Sequence, residues 1–229
     1  MTNRTAPQIK INSGLFYVAY LFASTEETRY YLDGVYIEPH PEGGVTLTAT
    51  NGHYLIQILD RGGSTDRPFI MSMNKRDLTK LKPTRRTPNE TLITYGTELG
   101  FGRFRVDLAA IDSLPKACFF AVEVDGTYPD YRKVIPWLHK DRKPCGEVSL
   151  DAKYIGNFGA ASLLIGYSLG IDVGSGISLA MAATSHEPML ISLGPAHSAF
   201  GVIMPMRTEC TAEPPIWYVR EKVSEQVAA

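Results

Sequence analysis

The hydrophobic positions between Ile9 and Asp60 predict a strand, a helix and three further strands. Ser13 belongs to the residue types that cap helix N-termini, so the helix is expected to begin there. The apolar residues that follow recur at the spacing of one helix face, at Leu15, Val18, Leu21 and Phe22. Residues 28–38 are then expected to be extended.

A β-hairpin is predicted next. Apolar and polar residues alternate from Val45 to Thr50, Asn51-Gly52 follows, and the apolar run resumes over residues 53–58. Asn-Gly accepts the positive φ angles of a tight turn, and alternating runs on both sides of it are typical of paired strands.

The same order of elements recurs twice more, which indicates an internal repeat of strand-helix-strands units. The second copy is predicted as a strand at 69–72, a helix from Asn74 to Lys82 ended by Pro83, and strands at 92–95, 101–107 and 119–124. The third is predicted as a strand at 147–150, a helix at 152–165, and strands at 177–183, 189–193 and 200–204. The fold class is therefore α+β.

The repeat also divides the chain. Two units fill a domain over residues 1–136, and one unit fills a partial domain over 146–207. Residues 137–145 are mostly polar and carry a proline near their end, which predicts a linker. Residues 208–229, with two consecutive prolines, are predicted to form a C-terminal tail.

Composition places the 229-residue chain, with 44% hydrophobic and 21% charged residues, among ordinary globular proteins of one or two domains. No stretch approaches the roughly 18 to 20 apolar residues of a bilayer span, and the first residues lack the apolar region of a secretory signal. We therefore expect a cytoplasmic protein without a membrane partner. Cys118, Cys145 and Cys210 show no metal or disulfide spacing, so reduced thiols are expected.

The charge balance excludes a protein that grips nucleic acid over most of its surface, because 23 basic and 24 acidic residues give a net charge of −1. Local basic runs remain, and we call the densest of them the basic run. It comprises Lys75, Arg76, Lys80, Lys82, Arg85 and Arg86. Such a run is typical either of a solvated helix face or of a surface that contacts phosphates.

Catalytic chemistry has little support in the sequence. Residues 166–170 match the G-x-S-x-G pattern of a hydrolase nucleophile elbow, with Ser168 as the candidate nucleophile. The order of elements is inverted, however, because the motif follows a predicted helix and precedes strands. The five histidines show no zinc-ligand spacing, and no glycine-rich phosphate loop ends in Lys-Ser or Lys-Thr. We expect no enzyme activity, no metal and no cofactor.

Four separated segments, in order, carry a resemblance to a known family. They are residues 28–35 (TRYYLDGV), 49–55 (ATNGHYL), 128–136 (YPDYRKVIP) and 202–207 (VIMPMR). Together they resemble the β sliding clamp of bacterial DNA polymerase III, a processivity factor. The resemblance implies clamp-like domains with sheets outside and helices on one face. It covers the family's middle domain over residues 8–136 and the second half of its last domain over 146–207.

The resemblance further implies a pocket for short peptides of DNA polymerase or other replication and repair proteins. The residues carried over are Thr50, Gly52, His53, Tyr54, Leu55, Pro129, Val134, Val202, Met204, Pro205, Met206 and Arg207. Tyr54 stands where many clamps have arginine, so altered contacts at the pocket mouth are expected. Residues 208–229 are an addition that is expected to cover or extend the pocket.

The family's helices face DNA, so the resemblance also implies nonspecific phosphate contacts by the basic run on double-stranded DNA. The family's first domain and half of its last have no counterpart here, which removes the interface that usually closes the ring. Two hypotheses follow: a processivity factor, such as a phage or mobile element would carry, or a regulator that competes for clamp-binding partners without encircling DNA. Oligomers are possible under either hypothesis.

Overall fold

The computed structural model describes residues 5–86, 90–94, 99–109, 115–136, 148–172, 174–193 and 198–207. The predicted linker at 137–145 and the predicted tail at 208–229 lie outside these residues. The predicted division into domains therefore stays a prediction.

The first unit begins with strand β1 (Ile9–Asn12) and helix α1 (Ser13–Tyr20). The prediction that Ser13 caps this helix is wrong. The cap is Asn12, whose side chain accepts a hydrogen bond from the Leu15 amide at 3.0 Å, whereas Ser13 is buried in the first turn.

Residues 28–38 are extended only in part. A 3-10 helix (Glu27–Leu32) comes first, and strand β2 (Val35–Pro39) follows. The predicted hairpin is confirmed as strands β3 (Val45–Thr50) and β4 (Tyr54–Asp60). Gly52 in its turn has a φ of 91°, a value that favours glycine.

The second unit contains strand β5 (Ser64–Thr65), strand β6 (Phe69–Met73) and helix α2 (Lys75–Leu78). The predicted helix at 74–82 is shorter as an α-helix, because its last turn tightens into a 3-10 helix (Thr79–Leu81) before Pro83. The predicted strands form β7 (Thr91–Ile93), β8 (Arg103–Ala109) and β9 (Ala117–Glu123).

The third unit contains helix α3 (Ala152–Leu169) and strands β10 (Ile177–Ala180), β11 (Met189–Leu193) and β12 (Ala199–Ile203). The helix runs beyond the predicted end at 165 and stops at Gly170, whose φ of 67° closes it. The predicted strand at 147–150 is not formed over residues 148–150, and residue 147 lies outside the described residues.

All strands of the described residues join one antiparallel sheet, in the order β10-β11-β12-β4-β3-β2-β6-β9-β8-β7-β1-β5. The third unit is thus continuous with the first through the β12–β4 pair, and the sheet does not close on itself.

The main core lies between this sheet and the helices. Helix α1 packs on β3 and β4, helix α3 packs on β10 and β11, and the two helices contact each other. Phe158 of α3 is fully buried and its ring lies 4.9 Å from that of Phe22. Gly201 of β12 makes room for it, since a Cβ there would lie 2.1 Å from Phe158 Cε1. The α+β class with helices on one face is confirmed.

Candidate functional site

The junction between β4 and β12 brings two of the predicted pocket residues side by side. Leu55 pairs directly with Val202 in the antiparallel register, and each is 2% exposed. Alternation along the strands turns the neighbouring Tyr54 and Ile203 into the main core, so Leu55 and Val202 lie on the outer face of the sheet, opposite the helices.

These two side chains form the centre of a second apolar cluster, which we call the outer-face cluster. Its other members are Tyr131, which is buried, and Tyr36, Tyr128, Ile135, Leu190 and Phe200, which are partly buried. The rings of Tyr36 and Tyr128 stack at 4.8 Å with an interplanar angle of 5°. A 3-10 helix (Tyr131–Val134) thus packs against the outer face of the sheet.

Polar groups fix the tyrosine at the centre of this cluster. The Tyr131 hydroxyl donates to Glu38 Oε1 and accepts from Gln57 Nε2 at 2.7 Å, while Arg132 Nη2 donates to both Glu38 oxygens at 2.7 and 2.8 Å. Burial, followed by the nearby Glu38 carboxylate, raises the pKa of Tyr131 to about 12. The phenol therefore stays neutral and can donate throughout the ordinary pH range.

Exposed side chains border the junction, and we call them the rim. Met204 is 37% exposed, Met206 48% and Val134 44%. The Met204 amide donates to the His53 carbonyl at 2.9 Å, which ties the end of β12 to the hairpin turn. Pro129 and Arg207 are exposed and Pro205 is half-buried. Methionine side chains adapt to differently shaped apolar partners, so this rim suits a variable ligand.

The hairpin turn is held by its own side chains. The Thr50 hydroxyl donates to the Tyr54 carbonyl at 2.8 Å and accepts from the Gly52 amide at 3.0 Å. Asn51 Oδ1 accepts from the His53 and Tyr54 amides at 2.9 and 3.2 Å. Thr50 is buried, whereas Gly52 and His53 are exposed. Thr50 therefore shapes the turn, and His53 is left at the surface beside Met204.

The expectation that Tyr54 alters the pocket mouth is wrong in this structure. Its side chain points to the helix face, where the ring stacks on Tyr154 at 4.3 Å. Its hydroxyl donates to the Leu21 carbonyl at 3.2 Å and accepts from Asn157 Nδ2 at 3.0 Å. Strand alternation causes this placement, since Tyr54 and Leu55 face opposite sides of β4. Tyr54 instead joins α3 to α1.

Several contributors to the site were not predicted from sequence, chiefly Tyr36, Tyr128, Tyr131 and Ile135. Three of them lie in the 128–136 segment beside the predicted Pro129 and Val134, which is a signal that could have found them. A cavity of about 600 Å³ adjoins the cluster, because Tyr36 and Tyr128 line both. Arg67 also lines this cavity and donates hydrogen bonds to Glu123 at 2.6 and 2.9 Å.

The basic run lies away from this junction, on α2 and the segment after it. All six of its residues are exposed. Lys80 bonds Asp77 at 2.8 Å, and this contact contributes most to holding the pKa of Asp77 below its usual value. Arg85 pairs with Asp172 at 3.3 Å and lies over the Tyr167 ring of α3. The run is thus on the helix side of the sheet.

Ser168 has no nucleophile geometry. It lies inside α3, is 1% exposed, and donates its hydroxyl hydrogen to the Leu164 carbonyl at 2.8 Å. Among the described residues no cluster of histidine, cysteine and carboxylate side chains could hold a metal ion. In the same part of the chain no helix is long and apolar enough to span a bilayer.

Repeated strand-helix-strands units, joined edge to edge with the helices on one face, make this a DNA-clamp-type fold. The β sliding clamp of Bartonella birtlesii, bound to griselimycin, matches with a TM-score of 0.60 at 18% identity over 91% of this chain and 68% of the clamp. DNA polymerase III subunit β of Borrelia burgdorferi, in complex with a natural product, matches with a TM-score of 0.56 at 16% identity over 87% of this chain and 64% of its own.

The sequence comparison points to the same protein. The β sliding clamp of Caulobacter vibrioides is 31% identical over 118 residues, which are 49% of this chain. This match spans only 29% of the length of that relative. No family model matches the chain. The predicted resemblance is confirmed: the chain is similar in sequence to the β sliding clamp over about half of its length, and the described residues have the clamp fold.

Proposed function

We propose that the chain is a non-enzymatic, sliding-clamp-like replication factor that binds a short peptide of a DNA polymerase or another replication or repair protein at the β4–β12 junction. The observation that carries this proposal is the direct pairing of Leu55 with Val202, with exposed Met204, Met206 and Val134 in the segments that border the pair. Apolar side chains with a few convergent polar groups are typical of peptide and small-molecule sites.

The peptide engages the rim before the floor. Leu55 and Val202 are almost fully buried, so an incoming leucine or phenylalanine first contacts the exposed methionines and Val134. The methionine side chains then adapt to the shape of that anchor. Each buried anchor contributes about 1.5 to 3 kcal/mol, so two or three anchors reach micromolar affinity, about −8 kcal/mol, after ordering costs. Arg207, which is exposed at the rim, suits a peptide carboxylate or carbonyl.

Fluorescence anisotropy with a labelled peptide of the Gln-Leu-x-Leu-Phe type tests this site. Leu55→Ala and Met204→Ala are expected to weaken binding at least about tenfold, or 1.4 kcal/mol each. Met181→Ala is the matched control, because Met181 is 42% exposed but lies beyond the end of β10. Absence of binding at about 100 µM protein, or equal affinity for all four proteins, contradicts the proposal.

We further propose that the basic run contacts phosphates of double-stranded DNA without sequence preference. Its side chains are exposed on the same side as the helices, which is where the family's helices face DNA. The double variant Lys75→Ala/Arg76→Ala is expected to lower the slope of log affinity against log salt by about 1 to 2. Lys133→Ala removes an exposed cation near the outer-face cluster and is expected to leave the slope unchanged. Equal slopes for all three proteins count against DNA contact by this run.

The open sheet favours the second candidate, a regulator that competes with a host clamp for partners and does not encircle DNA. The two candidates differ in how they stay on DNA. A ring is retained on circular DNA and lost from linear DNA, whereas the regulator shows equal retention on both. The regulator also inhibits clamp-dependent synthesis in proportion to its peptide affinity, so the Leu55→Ala variant should relieve that inhibition.

A further inference from the structure

The three units share one feature just before each helix. Their helices are capped by Asn12, Asn74 and Asp151, in each case through a side-chain oxygen that accepts a backbone amide hydrogen. Apolar residues stand one and three positions before each cap. They are Ile11 and Ile9, Met73 and Met71, and Leu150 and Val148. We call the residues before the cap the lead segment of the unit.

In the first two units the lead segments are exchanged. The lead strand of unit one, β1, pairs with β7 of unit two, and the lead strand of unit two, β6, pairs with β2 of unit one. Both pairs are antiparallel. Each unit therefore fills an edge of the other, and the apolar lead residues become buried, with Ile11 and Met71 both at 0% exposure.

In the third unit the lead segment keeps one of the two neighbours that the lead strand has in unit one. In unit one, Lys10 lies two residues before the cap and pairs with Ser64, just after the last strand of that unit. In unit three, Ser149 lies two residues before its cap, and its carbonyl accepts from the amide of Met206, just after β12. The lead segment 148–150 is therefore placed like β1, with a neighbour on one side.

The far side is open in two places within the described residues. No second strand lies beside residues 148–150, whose side chains stay half-buried. Strand β10, which corresponds to β2, pairs only with β11. Its core-facing Leu179, opposite the buried Ile191, is 41% exposed, whereas the core-facing Val35 and Ile37 of β2 are both fully buried. Ile171 and Met181 near this edge are 46% and 42% exposed.

We infer that the third units of two copies of this chain complete one another. The lead segment of each copy pairs with β10 of its partner, as β1 pairs with β7 and β6 pairs with β2 within the first two units. The exchange is reciprocal. Two copies related by a two-fold axis therefore fill each other's open edges, and Leu179 becomes buried in both copies. Such a self-complementary contact is the closed form expected of a homodimer.

A second copy is favoured over other occupants because the third unit carries both partners of the missing contact, the open edge of β10 and the lead segment 148–150. A peptide strand could pair with β10 but would leave residues 148–150 unpaired. The inference goes beyond the proposed function and does not depend on it, since β10 and Leu179 lie at the edge of the unit away from the β4–β12 junction, and the lead segment meets the peptide rim through the Met206–Ser149 hydrogen bond. A failure of peptide binding and a failure of dimerisation are thus separate results.

Light scattering coupled to size-exclusion chromatography measures the molar mass, and so tests whether the chain dimerises. We expect the wild type to have twice the chain mass of 25.3 kDa, and Leu179→Asp to have the mass of one chain. Phe101→Asp places the same charge at an apolar residue that is fully exposed in a turn of the second unit, and it is expected to stay dimeric. Circular dichroism confirms that each variant is folded. A wild-type monomer at about 100 µM, or a dimeric Leu179→Asp, overturns the inference.

Cross-linking distinguishes the proposed pairing from a β10-to-β10 contact. In a background with Cys118, Cys145 and Cys210 replaced by serine, Ser149→Cys and Ser178→Cys are made in separate chains. After subunit exchange, a short bismaleimide is expected to join the mixed pair and to leave each variant alone uncoupled. Cross-linking of Ser178→Cys alone, with none gained in the mixture, overturns the pairing.

Discussion

The two sides of the third unit differ, although both are edges of the same three-stranded segment. At β12 the edge is paired with β4, backed by Phe158 on one face and covered by the outer-face cluster on the other. At β10 the edge is unpaired within the described residues, and a core-facing leucine is exposed. The difference shows that the neighbour, more than the composition of a strand, decides whether its apolar residues are buried.

The largest effect is expected from a substitution that disrupts the packing behind β12, the paired edge of the third unit. Phe158→Ala removes a fully buried ring that contacts Phe22 and Tyr54, so we expect the free energy of unfolding to fall by about 3 to 5 kcal/mol. Urea denaturation measures it. Leu179→Ala at the open side is the comparison. Leu179 is 41% exposed in the single chain, so at a concentration low enough for the protein to be monomeric a loss as large as that of Phe158→Ala would contradict the contrast.

A smaller effect tests the polar anchor of the outer-face cluster. Tyr131→Phe keeps the ring but removes the hydroxyl that joins Glu38 and Gln57, and we expect a loss of about 1 kcal/mol in unfolding free energy. Peptide affinity should fall as well, because Tyr131 packs against the floor residues. Unchanged stability would show that Arg132 alone holds Glu38.

The raised pKa of Tyr131 also predicts how the stability of the fold changes with pH. The pKa of Tyr131 is raised to about 12 from its ordinary value of 10.0, chiefly by burial, so the folded state holds the proton more tightly than the unfolded state. The resulting stability is complete below pH 10 and is lost as the pH rises toward 12. Thermal denaturation between these values should show a steeper decline for the wild type than for Tyr131→Phe. Parallel curves would exclude a role for this proton.

The smallest effect concerns the contact between the second and third units. The Arg85–Asp172 pair is 3.3 Å long, but its side chains are 70% and 85% exposed. Solvent screening leaves such pairs little net value, so Arg85→Ala should change unfolding free energy by less than about 0.5 kcal/mol. Chemical denaturation measures this too. A loss above about 1 kcal/mol would mean that Arg85, through Asp172 or the Tyr167 ring, joins the units more strongly than its exposure predicts.

Local signals predicted much of this fold. The hairpin at 45–60 follows from Asn51-Gly52 between alternating strands, and the helix predicted at 152–165 forms as α3. The lead segment at 148–150 was predicted as a strand on the same kind of evidence, and that prediction was wrong. Strand formation there depends on a neighbouring strand, which no local pattern encodes.

The site was predictable in part. The resemblance supplied Leu55, Val202 and Met204, and the structure brings them to one junction. The resemblance could not supply the orientation of Tyr54, because a residue in a pocket segment can still face the opposite side of its strand. Tyr36 was missed for a related reason, since only the pairing of β2 with β3 carries it to the cluster.

The β4–β12 pair also has a consequence for synthesis on the ribosome. Leu55 leaves the ribosome about 150 residues before its partner Val202, which is roughly 7 to 30 s at about 5 to 20 residues per second. During that interval the growing chain holds a finished hairpin whose outer strand has no partner. Neighbouring ribosomes on one mRNA therefore carry nascent chains that all expose the same unpaired β4 edge, and these edges can pair with one another. The yield of folded protein should then depend on the rate of translation.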